Sequence, residues 1–114
     1  MTKERKELEE KMAYCYGTEH YYRGQLLPFL YTDGVRTFVQ NAGDGAYWFL
    51  MECARIVKDM SDFGSIVLDV KDSKADILVD GNRKKHISYT DCPDGEWTFY
   101  YSPEDNILLW RGEY

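Results

Sequence analysis

His20 and His86 are the only imidazoles in the chain, so any proton transfer near neutral pH has to be weighed at these two positions first. A nucleophile and base pair would need one of them beside a serine or cysteine, and neither lies in a recognisable motif of that kind. His86 follows Lys84 and Lys85, and strand alternation sets it on an outward face, the place of a solvated side chain. His20 is better placed. It sits between Glu19 and the pair Tyr21-Tyr22, and with Asp33, Tyr47 and Trp48 these residues define a candidate pocket between helices and sheet. Aromatic walls with one or two carboxylates could hold a nucleotide or a sugar.

Other chemistries find less support. Asp69, Asp72, Asp76 and Asp80 lack the Asp-x-Asp-x-Asp-Gly spacing and distant Glu of a calcium loop, and alternation makes Asp76 and Asp80 outward strand residues. Cys15, Cys53 and Cys92 are odd in number and form no Cys-x-x-Cys pair, which suggests neither a disulfide framework nor a zinc site but reduced, mostly buried thiols. Gly43-Asp44-Gly45 lacks the continuation of a phosphate-binding loop. The expectation is no metal, no cofactor and no enzymatic activity.

Charge narrows the partners. The chain has 114 residues and a net charge of −6. Residues 1–60 carry eight Lys/Arg against nine Asp/Glu, and residues 61–114 carry six against eleven, so the second half holds −5 of the total. Such a field repels nucleic acid, and the lone basic run Arg83-Lys84-Lys85 lies inside that acidic half. Ten tyrosines raise the aromatic content to 16%, and tyrosine suits half-buried recognition surfaces. By alternation the sheet's outward face would show Asp69, Asp76, Leu78, Asp80 and Tyr100, a candidate surface for a basic or nucleic-acid-binding protein partner. The charged N-terminus is unlike a secretory signal and no apolar run approaches ~18 residues, so a cytosolic protein without membrane contact is expected.

The elements that must position these residues change character at Ser61. Before it the period is helical: a charged helix over Thr2 to Met12 with Leu8 and Met12 as its apolar stripe, a stop at Gly17, and a short helical segment from Thr18 carrying Tyr21 and Tyr22. A further helix, capped by Thr32 or Asp33, runs through Val35, Phe38 and Val39 to Gly43. The pattern from Ala46 to Met60 predicts another, with Tyr47, Leu50, Met51, Ala54 and Val57 as the buried stripe. After Ser61 the period is 2, over Ile66 to Val70, Ile77 to Val79, Ile87 to Tyr89 and Trp97 to Tyr101; Ile107 to Trp110 reads as a fifth strand covered on both faces. Short turn-rich links imply antiparallel neighbours. The expectation is an α+β fold with about three to four N-terminal helices on one face of a five-stranded antiparallel meander. One domain is expected over 1–114: charged helix 1–16, helical half 17–60, sheet 61–114.

Several blocks share a recurring look: Gly17-Thr18-Glu19 before Tyr21-Tyr22, Tyr31-Thr32-Asp33-Gly34-Val35, Ala46-Tyr47-Trp48, and Tyr89-Thr90-Asp91 with Pro93. From about Gly17 onward this ordered set resembles a domain-of-unknown-function family of short bacterial and phage-borne proteins. That family has no assigned activity, and its association with mobile elements implies a small protein that modulates a host protein, including an anti-CRISPR-like inhibitor of a defence nuclease. The leading expectation is therefore a non-enzymatic binding module with an acidic, tyrosine-bearing surface. The alternatives are a small-ligand or enzymatic domain using the aromatic pocket, and a homodimer joined through the sheet.

Overall fold

Alternation after Ser61 is realised as β-structure, but the sheet is larger than the pattern announces. The computed structural model describes residues 3–13, 21–23 and 27–113. Among them the chain forms three α-helices and a seven-stranded mixed sheet. The helices are α1 (Lys3–Met12), α2 (Asp33–Asn41) and α3 (Tyr47–Ile56), and the strands are β1 (Tyr21–Arg23), β2 (Leu30–Thr32), β3 (Gly64–Lys71), β4 (Lys74–Val79), β5 (Asn82–Ile87), β6 (Gly95–Ser102) and β7 (Ile107–Trp110). The spatial order is β1-β2-β7-β6-β3-β4-β5.

Three expectations are corrected by this order. The five-stranded antiparallel sheet is a seven-stranded mixed one, because Tyr21–Arg23, expected on a helix, pairs antiparallel with β2, and β2 runs parallel to β7. The meander is broken as well: β3, β4 and β5 are successive neighbours, but β6 returns to lie beside β3, which is Greek-key order. Residues 88–94 are thus not a tight turn but a crossing. That crossing is pinned at several points. The Thr90 N–H donates to the Ser73 carbonyl (2.9 Å), the Asp91 carboxylate accepts the Asp44 N–H (2.7 Å), and the Trp97 indole N–H donates to the Pro93 carbonyl (3.0 Å).

The hairpins themselves follow local chemistry. Asp72-Ser73 and Asp80-Gly81 all have positive φ (53°, 65°, 49° and 87°), the two-residue turn whose twist matches that of the flanking strands. In β5 one extra residue, Lys84, is bulged between the pairs Leu78 with Arg83 and Ile77 with Lys85.

The three helices cover one face only. Ile66, Leu68, Val70, Ile77, Trp97, Phe99, Leu108 and Trp110 point inward and are buried, while their alternates are part-exposed. Ile107 to Trp110 is therefore covered on one face, not two. Phe38 of α2 is the centre of the core, with ring centroids 6.0, 5.3 and 5.1 Å from Phe49, Trp97 and Phe99. In α3 the buried residues are Phe49, Leu50 and Cys53, followed by Val57 in a 3-10 turn (Val57–Asp59) that ends the helix. Tyr47 and Met51, expected on that stripe, are 43% and 40% exposed. Because α3 reads Tyr-Trp-Phe-Leu-Met at its start, apolar residues surround it and periodicity alone does not choose the buried side. No helix among the described residues is long and apolar enough to cross a membrane.

Candidate functional site

The outward sheet face is a series of cross-strand rows, because every register on β6, β3, β4 and β5 is antiparallel and side chains directly opposite share a face. The first row is Glu96, Asp69, Asp76 and His86. The next is Thr98, Val67, Leu78 and Arg83, and beyond it Leu109, Tyr100 and Ser65. Phe63, 46% exposed, stacks on Tyr100 with centroids 5.6 Å apart and planes at 19°. Val67, Leu78, Tyr100, Phe63 and Leu109 thus make an apolar and aromatic stripe along this face, with Val67, Leu78, Tyr100 and Leu109 part-exposed.

Of the five residues predicted for this surface, Asp69, Asp76, Leu78 and Tyr100 do share the face. Asp80 has a different task. It sits in the β4 to β5 turn, where its carboxylate accepts the Ser65 N–H at 3.0 Å and its own N–H donates to the Ser65 carbonyl at 3.1 Å. Asp76 shares a hydrogen bond with His86 Nδ1 at 2.8 Å and is ion-paired with Arg83 at 3.6 Å. Asp69 and Glu96 stand directly opposite each other across β3 and β6, with no ion pair among the described residues. Like charges so opposed repel. Lys71 and Lys74 face each other at the hairpin end, so the acidic row is bordered by cations on one side and by the apolar stripe on the other. Phe63, Val67 and Leu109 were missed as members of this face. Alternation assigns Val67 and Leu109 outward, while the place of Phe63 depends on its stack with Tyr100.

The predicted aromatic pocket comes together only in part. Glu19 and His20 lie outside the described residues. Tyr22 donates its hydroxyl to Asp33 at 2.8 Å, its ring is 5.7 Å from that of Tyr31, and the Arg36 guanidinium lies 4.4 Å over it. Tyr21 is 55% exposed, Tyr47 projects to the surface, and Trp48 sets its edge against Phe49 (6.2 Å). Burial, with Tyr47 next, holds the Tyr31 phenol above its ordinary pKa, so it stays protonated. Two clefts indent the surface elsewhere, of about 460 and about 280 Å³, and none of these pocket residues lines either.

The recurring blocks also turn out to be joints of the fold. Thr32 and Gly34 bond the distant Glu113, Asp33 bonds Tyr22, the Ala46 N–H donates to the Val39 carbonyl (2.7 Å), and Thr90 and Asp91 pin the crossing after β5. A family model described as "Family of unknown function (DUF6876)" matches residues 6–114, nearly the whole chain. The chain belongs to this family. No curated protein and no solved structure matches it. The match to DUF6876 spans most of α1, all of α2 and α3 and all seven described strands.

Proposed function

We propose that this member of DUF6876 is a non-enzymatic binding module that engages a basic protein partner through the outward face of its sheet. One observation carries the reading: Val67, Leu78 and Leu109 are part-exposed on the outward face with the Phe63–Tyr100 stack beside them, next to the opposed carboxylates of Asp69 and Glu96, which have no ion pair among the described residues. An apolar centre with a charged border is the anatomy of a protein interface. A partner's lysine or arginine set over Asp69 and Glu96 would relieve their repulsion while apolar groups cover the stripe. Nucleic-acid-binding proteins present surfaces of that charge. The state of the described cysteines agrees with a non-enzymatic role: Cys53 is fully buried and burial pushes its thiol far up, and burial also raises Cys92.

The test compares capture by the wild type, the D69K/E96K variant and an L78K variant, from low to raised salt. A partner bound by the wild type, lost with either variant and weakened by salt is expected. One retained by both variants would sink the proposal. A concentration-dependent dimer in light scattering, abolished by L78K, would assign the face to a second copy instead.

A further inference from the structure

The larger cleft, about 460 Å³, lies on the opposite side of the sheet, where the β4 to β5 hairpin extends past the end of α3. Its apolar lining is Ile56, Met60 and Val79. Its charged lining carries both signs. Lys84 and Lys85 line it from β5, and Asp59 and Asp62 from the segment after α3. Regular alternation would send consecutive lysines to opposite faces, but the bulge at Lys84 sets Lys85 opposite inward-facing Ile77 and leaves Lys84 free to lean the same way. None of these four charged side chains has an ion pair or hydrogen bond among the described residues. Other charges at the rim are already engaged: Arg55 with Glu52 at 3.8 Å, and Asp80 with Ser65. The bulge and the lysines also blunt the exposed edge of β5 against an added strand, which favours an occupant of the cleft over one of the edge.

We infer that this cleft binds a small zwitterion that also carries an apolar side chain, either a free apolar α-amino acid or a short apolar peptide with free ends. Its carboxylate meets Lys84 and Lys85, its ammonium meets Asp59 and Asp62, and its side chain covers Ile56, Met60 and Val79. The volume falls within the range of small-ligand sites, roughly 300–1,000 Å³. A ligand this small binds at about millimolar Kd.

Titrating the full chain with leucine and with leucyl-leucine, while following the methyl resonances of Ile56, Met60 and Val79, tests the assignment. Saturable shifts are expected, at least about tenfold weaker for the methyl esters, the N-acetyl forms and the K84E/K85E variant, a loss of about 1.4 kcal/mol or more. Shifts from the dipeptide alone assign the longer occupant, and shifts from leucine alone the shorter. No shift up to about 20 mM of either, well above the expected Kd, or esters that bind as tightly as the free acids, overturns the inference. The ester and acetyl arms use the wild type, so they stand even if the variant misfolds.

Discussion

The Thr32 hydroxyl donates a hydrogen bond to the Glu113 carboxylate at 2.5 Å, across 81 residues of chain. The same carboxylate takes the Gly34 N–H at 3.2 Å and the Trp110 N–H at 3.0 Å. Thr32 is the N-cap of α2, yet its side chain makes no cap bond. A carboxylate from the far end of the sequence does that work, at the positive end of the helix dipole. Replacing Glu113 by Ala leaves a buried hydroxyl and two N–H groups without their acceptor, so a loss of about 1–3 kcal/mol is expected in urea unfolding. E113Q, which keeps one acceptor oxygen, should fall between. An E113A midpoint equal to the wild type would show that water replaces the latch at no cost.

Gly43 ends α2 at φ +59°, and a Cβ there would overlap the side chain and carbonyl of Asp91. G43A therefore combines left-handed strain with a clash, and a cost of about 1–3 kcal/mol is expected. D91A loses the bond to the Asp44 N–H and should cost about 1 kcal/mol. The double variant keeps the clash with the Asp91 carbonyl but loses the one with its carboxylate, so its cost should be less than the sum of the two. Strict additivity in chemical denaturation would mean that the α2 to α3 turn and the crossing after β5 are not coupled through this contact.

Tyr31 and Tyr101 give stability an alkaline limb. Burial raises both phenols above 10.0 in the folded state, so above that pH the unfolded chain loses protons that the folded chain keeps. Stability falls as pH rises through this window, and below it both states are protonated and neither residue contributes a slope. Y31F should flatten the fall in urea midpoint between about pH 9.5 and about pH 11.5. Y101F also removes the bond from the hydroxyl to Asn106 (2.6 Å), so it should lower stability at neutral pH as well. A Y31F curve parallel to the wild type would place the alkaline limb elsewhere.

Local chemistry made the second half readable and left its long-range joins hidden. Alternation at Ile66 to Val70 and Trp97 to Tyr101, and the Asp80-Gly81 turn, each rest on neighbouring residues, and the strands there form as the spacing requires. β1 and β2 are three residues each, too short for a period to register, and β2 is held by a parallel pairing to β7 near the opposite end of the chain. The return of β6 to β3 is equally silent, since Cys92-Pro93-Asp94-Gly95 carries the residues of a tight turn whether or not the strands on either side pair. For the surface, Leu78 and Tyr100 were legible from alternation. The cleft was not, because the Lys84 bulge that turns both lysines to one side is a property of the pairing.

Arg5 decides how α1 is held. Leu8 and Met12 are buried against the core, but Arg5 reaches further: its guanidinium lies 4.3 Å over the Trp97 ring, donates to the Asp94 carbonyl at 2.8 Å and pairs with Glu9 at 2.8 Å. Gly95, at φ +126°, leaves the space, since a Cβ there would run into that guanidinium. R5A removes a cation over a buried indole and a charged hydrogen bond, and an expected loss of about 1–3 kcal/mol follows. R5K keeps the charge without the planar fork and should recover only part of it. Hydrogen exchange separates this from a general loss of stability: in R5A the amides of α1 should lose protection while those of β3 and β6 keep theirs relative to the global limit. Unchanged protection in α1 would mean that Leu8 and Met12 hold the helix without Arg5.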